Sequence, residues 1–523
     1  MSKDARKQVQ LTAEAKREFD ACIAAMAACG FGEDGPPRNT TFAQIEDFGL
    51  QVGRMLAQGI EQRLTEQHAA HFQEEECPTC GTSCPVQQTP AEREIQTCGG
   101  PVPLREPVCH CSVCRRDFFP QRMALAIDGR SYSPRVLEKA MLCVAHAPAY
   151  ELAAKLLDDV GGITISGRHL RNLSVLVGGE LERDRDAQTA TYFDQPLPRV
   201  ANEPATPIPL ACVSVDGGRM QTRLDGGPNG VQQPHWRETK NALFMRMTGV
   251  ARDEDPQPTL PACFADRKYM QKLLSGVGAG EPSETPPEKS DLSAWRPERL
   301  FRTCLSSLAD SDSFGRMMES EADSRGFFQA RKQAYVCDGL PYNWTIQARH
   351  FPTFVPILDF AHAIERVYEA ARAVSDEAEA TWQCYTQWAA ACWQGRVADV
   401  TEDLQQRQQH LGEPPPGCEE SDPRKVLADA ITYLQNNQSR MDYPRYRREG
   451  LPLTSAHMES LVKEINYRVK GTEKFWGDGP SAEAILQLRA AALCDDNRLT
   501  RHMTARPGNP FHPNVKATPA MSL

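Results

Sequence analysis

Residues 334–365 read AYVCDGLPYNWTIQARHFPTFVPILDFAHAIE, and two short apolar runs within them each end in an aspartate. Residues 334–337 are closed by Asp338, and residues 354–358 by Asp359. Short, partly β-branched runs bounded by Gly, Pro or Asp read as buried strands with a carboxylate at the C-terminal edge. An earlier run, 210–215, has the same form: it is closed by Asp216 and followed by Gly217 and Gly218. Sites in α/β sheets collect at the carboxyl ends of strands, and carboxylates clustered there can hold divalent metal. The pattern predicts an α/β core with several acids on one sheet edge. Asp359 opens a helix whose spacing puts His362 and Glu365 near the same face, so it reads as an N-cap, a supporting group or an alternative second ligand. Cys337 reads as a buried strand residue, since nothing nearby supplies a base.

Working outward, a proline-rich linker (193–210) delivers the chain to the first carboxylate strand. ACVSVDGGRMQTR (211–223) reads as strand, glycine turn, strand, and WRETKNALFMRMTGV (236–250) as a further strand. Residues 253–295, rich in Pro, Glu, Ser and Gly, read as a variable surface insertion without catalytic residues. FGRMMESEADSRGFFQARK (314–332) has helical spacing and leads back to the anchor strand, giving the order β-β-β-α-β. From 366 to 440 the pattern is a helical insertion with a loop at GEPPPG, and the segment 441–500 carries TSAHMESLVKEINYRVKGTEKFW, a helix with Glu459 and a basic, aromatic end. Residues 501–523 read as a disordered, Pro-rich tail.

Ahead of this core, residues 1–72 are helical, with an amphipathic run over 42–64 that reads as a dimerisation or support element. Residues 73–128 hold two CxxC pairs, Cys77 with Cys80 and Cys111 with Cys114, the spacing of a zinc ribbon in which four thiolates bind one Zn2+. Cys84, Cys98 and Cys109 are spare thiols that could displace one of the four. Residues 129–190 show three helical runs with a Gly-Gly turn at 161–162, which reads as a helix-turn-helix. Ser166 would cap its last helix, and Arg168, His169 and Arg171 would face DNA.

Composition narrows the class. The 523 residues are 40% hydrophobic and 24% charged, as in ordinary soluble proteins, and suffice for about three domains. No apolar run approaches the roughly 18–20 residues that span a bilayer, and the N-terminus is charged, so a cytoplasmic, nucleoid-associated location is expected and no membrane partner. Seven of 18 cysteines fall between Cys77 and Cys114, which in a reducing compartment favours metal over disulfides. The net charge of -10 argues against a uniformly basic nucleic-acid binder. Residues 440–474, with eight Lys or Arg against five Asp or Glu, are locally positive.

The motifs VSVDGG, HWRETK, YVCDG, the FP and LDFAHAIE pair, RMDYPRYRREGLP, HMES and YRVKGTEKFW, in this order, resemble those of the DDE transposases of bacterial insertion sequences. They are most similar to the group related to Mutator-like elements, and the likeness runs over about residues 77–489, departing at 253–295. It implies an α/β plus α architecture: a ribonuclease-H-like mixed sheet spanning 205–365 and 441–500, with a helical insertion, preceded by the zinc ribbon and helix-turn-helix. It implies Asp216, Asp338 and Glu459 as catalytic ligands of Mg2+ or Mn2+, His457 and Met458 being a departure from the usual residues beside the last acid. Two such ions suit in-line phosphodiester cleavage and strand transfer. Partners would be double-stranded DNA, both transposon ends and target, and further copies of the chain. Arg219, Trp236, Arg237, Lys240, Arg468, Lys470 and Trp476 are the expected DNA contacts near the acids. The competing readings are a ribonuclease-H-like nuclease without strand transfer, a non-enzymatic zinc-ribbon and helix-turn-helix regulator, and a glycosidase using paired carboxylates, in which the knuckles would have no role.

Overall fold

In the computed structural model the described residues are 11–223, 235–274, 295–471, 473–477 and 479–512. They form two compact units: residues 11–140, 155–165 and 503–512 in the first, and 141–154 and 166–502 in the second. The stretch expected as a helix-turn-helix is divided between them.

The first unit begins with helices α1 (Ala13–Phe31) and α2 (Phe42–Ala69). A capping box between Thr41 and Gln44 starts α2, satisfying two amides that the helix itself cannot. Three antiparallel hairpins follow: β1 (Glu74–Glu76) with β2 (Ser83–Pro85), β3 (Ala91–Thr97) with β4 (Gly100–Glu106), and β5 (Cys109–Cys111) with β6 (Arg116–Phe118). A short helix, α3 (Pro120–Ala124), closes the region. The turn at Gly99 and Gly100 lies against α2, where a Cβ on Gly100 would meet the Gln58 amide at 2.0 Å, and Thr97 donates to Glu61 at 2.6 Å. The tail departs from expectation. Residues 506–512 are packed: the Phe119 amide donates to the Pro510 carbonyl (2.7 Å), that of Asn509 to Ile127 (2.8 Å), and the Arg116 guanidinium lies 3.6 Å over the Phe511 ring. Proline removes an amide but not a carbonyl, so a Pro-rich segment can still dock. Residues 513–523 lie outside the described residues.

Helices α4 (Pro134–His146) and α5 (Tyr150–Asp159) lead to α6 (Gly167–Phe193). The second unit is built on a mixed sheet: β7 (Leu210–Arg223), β8 (Trp236–Met247), β9 (Arg299–Ser307), β10 (Gln333–Cys337), β11 (Val355–Leu358) and the two-residue β12 (Trp476–Gly477). Their order is β11-β10-β7-β8-β9, with β12 on the far part of β7. β7, β8 and β9 are antiparallel neighbours, and β10 and β11 add parallel to β7. Between the strands run α7 (Arg267–Leu274), α8 (Ser311–Ser324), α9 (Pro341–His350) and, after β11, α10 (Phe360–Val374). The expected helical insertion is helical: α11 (Ala378–Trp393), α12 (Val397–Leu411) and α13 (Pro423–Asn437). Then come α14 (Tyr443–Glu449), α15 (Ala456–Val469), α16 (Pro480–Leu493) and α17 (Arg498–Ala505).

Two sequence expectations fail here. Gly217 and Gly218 do not turn the chain; β7 runs straight through them, paired with Lys240 and Thr239. Gly218 serves close approach instead, because a Cβ there would sit 2.6 Å from the Thr239 hydroxyl. The third antiparallel strand is β9, just beyond the expected insertion. Of that insertion, residues 275–294 lie outside the described residues, but Asp255 binds the buried Arg447 guanidinium at 2.7 Å and Phe264 packs on Phe360. Its flanks belong to the core.

Candidate active site

Pairing register decides where the acids go. Cys337 of β10 stands opposite Val215 of β7 on one side and Leu358 of β11 on the other. The next residues are Asp216, Asp338 and Asp359, so three carboxylates leave one sheet edge side by side. Glu459 comes to this edge from the first turn of α15, which packs on β7 and β8. Their fields overlap. Burial first, then the Asp338 charge and that of Glu459, push the Asp216 carboxyl up to about 6, against an amide hydrogen bond from Gly217 at 2.6 Å. Burial also raises Asp338, although the Leu340 amide (3.2 Å) and Asn343 side chain (2.6 Å) donate to it. Glu459 is raised by burial and by Asp359, with His362 and Lys463 opposing.

Asp359 is fully buried, and its three hydrogen bonds give it a structural task. One oxygen accepts from the Ala361 amide (2.7 Å), capping α10; the other accepts from the Ser455 amide (2.7 Å) and hydroxyl. Ser455 is the residue before α15, so this carboxylate ties the helix carrying Glu459 to the sheet edge. One turn on, His362 meets Glu365 at 3.2 Å. Burial would lower its pKa, but the Glu365 contact and the charges of Asp359 and Asp338 raise it to about 10, leaving an imidazolium among the acids. Among the described residues, Asp359, His362 and Glu459 have ligand atoms within 4.8 Å of one another; the set Asp216, Asp338 and Glu459 does not form such a group. Acids that disfavour each other's ionisation are a set that a divalent cation would relieve.

Two cavities of about 630 Å³ flank these acids. One is lined by Asp216, Arg219, Trp236, Tyr342 and Lys470, the other by Asp338, His362, Trp344, Tyr433 and Arg440. Tyr433 and Arg440, from and beyond α13, were not read as site residues, because helical periodicity does not say which face meets a distant strand.

The expected DNA contacts divide. Arg219 and Lys470 are exposed at the first cavity, and Trp236 is 41% exposed. Arg237 is half-buried. Lys240 pairs with Glu238 at 3.3 Å. Arg468 and Trp476 are interior, contrary to expectation. The Arg468 guanidinium donates to the Val144 carbonyl at the end of α4 (2.8 Å), and the Trp476 indole N–H to the Val469 carbonyl (2.8 Å). A basic, aromatic string had suggested a surface; here the arginine satisfies helix-end carbonyls that water cannot reach. Arg168 and Arg171 are exposed on α6, whose Leu170 and Leu173 are buried, and Ser166 caps that helix by accepting from His169.

In the first unit the sulfurs of Cys77, Cys80, Cys111 and Cys114 lie within 4.8 Å of one another, with Cys80 3.5 Å from Cys111 and Cys77 3.9 Å from Cys114. Each CxxC is followed by a left-handed residue, Gly81 (φ 72°) and Arg115 (φ 53°), the turn that aims two sulfurs at one point. Hydrogen bonds from Thr82 lower the Cys80 thiol to about 6, and the Thr79 amide lowers Cys77, easing the thiolates a metal needs. Buried Cys84 and Cys109 are outside this group, and burial raises both. Four soft donors at this spacing fit Zn2+.

No protein-family model matches this chain, and no curated protein does. A solved structure, the Drosophila P element transposase strand transfer complex, is similar over 71% of this chain and 94% of its own, at 8% identity and a TM-score of 0.28. A likeness that slight carries no argument. Chemically, the edge gathers acids and one imidazole between two open cavities. No helix among the described residues is long and apolar enough to cross a membrane.

Proposed function

We propose that the protein is a DDE-type transposase that binds the terminal inverted repeats of a mobile element, cleaves DNA there and joins the ends to a target. The alignment of Asp216, within β7, beside Asp338 at the end of the neighbouring β10, with Glu459 brought to the same place, carries this reading. Three antiparallel strands extended by two parallel ones is also the order a ribonuclease-H-like sheet would have. Asp216, Asp338 and Glu459 would hold Mg2+ or Mn2+, which when bound supplies Lewis-acid activation of the attacking oxygen and stabilisation of the leaving one. The chain's own residues do the rest. Asp359 fixes the start of α15, and thereby Glu459, through Ser455. His362 balances charge at the edge until a substrate or ion arrives. Arg219 and Lys470 steer phosphates toward Asp216. The cysteine cluster, holding Zn2+, and Arg168 and Arg171 on α6 would bind the end sequence. A multimer belongs to the same reading, supported by Phe42, Leu50, Met55 and Leu64 of α2, all more than half exposed.

Purified protein incubated with Mg2+, labelled DNA from the flanks of its own gene and a plasmid tests this. Cut ends joined to the plasmid are expected. Cutting without joining would leave a nuclease, and binding without cutting, unchanged in Asp216→Asn, would leave a regulator.

A further inference from the structure

The two cavities beside the carboxylates share one wall residue that is neither acidic nor basic: Leu340. It precedes α9, two residues after Asp338, and is 44% exposed, an aliphatic side chain standing between the two hollows. Behind it in α9, Tyr342 lines the cavity with Asp216 and Trp344 the one with Asp338. The Tyr342 hydroxyl and the Trp344 indole nitrogen are buried, and neither has a hydrogen-bond partner in the protein. Buried donors are nearly always paired, so two unpaired ones lining two open cavities point to a partner that enters from outside. A base held in a duplex stack cannot reach either.

Resting on the nuclease reading above, we propose that Leu340 is a wedge. It inserts at the base step that is cut, and the nucleotides on either side leave the stack, one for each cavity. Apolar side chains that pry a step apart are a general means of kinking DNA, and extruded nucleotides are held by stacking and by donors in a pocket. Each cavity is furnished for this. Arg219 and Lys470 serve phosphates in the first; in the second Arg440 lies 4.3 Å over Trp344. Gly339, between acid and wedge, lets Tyr433 close the second cavity, since a Cβ there would stand 2.2 Å from the Tyr433 ring.

The test compares two duplexes of one sequence from the gene's flanks, one fully paired and one mismatched at the step the wild type cuts, each with 2-aminopurine beside it. Leu340→Ala, at an exposed position that the fold does not need, should lose about ten- to hundredfold in cleavage of the paired duplex and recover to within about threefold on the mismatched one. The 2-aminopurine of the paired duplex should brighten with Asp216→Asn protein and stay dim when Leu340→Ala is added. Tyr342→Phe, lacking only the unpaired hydroxyl, should raise KM on both duplexes. Equal losses for Leu340→Ala on both duplexes, or no loss on either, would overturn the wedge while leaving the nuclease standing. Failure of the wild type to cut either duplex would overturn both.

Discussion

Asp216 is the residue whose chemistry is most exposed to test. Its carboxyl sits at about 6, above the ordinary aspartate value, because burial and Asp338 disfavour its charge. A raised acid opposes folding above its folded-state pKa, and the penalty disappears as pH falls through about 6 toward the unfolded value. In metal-free protein, Asp216→Asn should therefore raise Tm more at pH 7.5 than at pH 5, as differential scanning calorimetry would read. A bound dication must displace that proton, so Mn2+ affinity by titration calorimetry should strengthen as pH rises through 6. Asp359 predicts a different outcome. Ser455→Ala removes one bond to a buried carboxylate, worth about 1.5–3 kcal/mol, and should cut turnover while leaving DNA affinity alone. From sequence Asp359 was legible as a cap of α10 but not as the tether of α15, because its partner lies 96 residues on.

At the scale of elements, register is what assembles the site, and part of it could be read in advance. Three runs closed by aspartate announced three carboxylates side by side, as parallel neighbours in register place them, although β7 does not end at Asp216 as β10 and β11 end at theirs. The glycine pair after Asp216 misled, because Gly217 and Gly218 allow a turn but here allow close packing. β9 was hidden by its neighbour: a loop-like composition ran up to residue 295 and masked the strand that follows. On α8, Glu321 joins a salt-bridge cluster with Arg325 and Arg498. Glu321, fully buried, is held at about 2 by Arg498 and Arg325 against the cost of burial. Its stabilisation is present above the ordinary glutamate value and lost as pH falls from there through 2. Glu321→Ala leaves Arg325 and Arg498 with Asp496 as their remaining partner and should destabilise the second unit by about 1.5–3 kcal/mol, measured by urea unfolding at pH 7.

In the proposed reading the two units hold different ions, Zn2+ in the first and Mg2+ or Mn2+ in the second. The first has small hairpins and a cysteine cluster where a larger domain would have a core, so chelation should melt it selectively. Hydrogen exchange after treatment with a zinc chelator should show protection lost over residues 74–118 and retained in β7, β8 and β10. Exchange that is unchanged over 74–118 would remove the metal from that unit's stability. The cysteine spacing was fully legible, because two knuckles need only local turns. The docking of residues 506–512 was not: it joins segments nearly four hundred residues apart.

Asp216, Asp338 and Glu459 are proposed to hold divalent cations at one edge. Replacing Mg2+ with Fe2+ and adding ascorbate generates hydroxyl radicals at the bound ion, which cut nearby backbone. Sequencing the fragments of the full chain should locate cuts beside Asp216, Asp338, Asp359 and Glu459 together, suppressed by excess Mg2+ and by Asp216→Asn. Cuts that fall elsewhere, or that persist unchanged in Asp216→Asn protein, would contradict it.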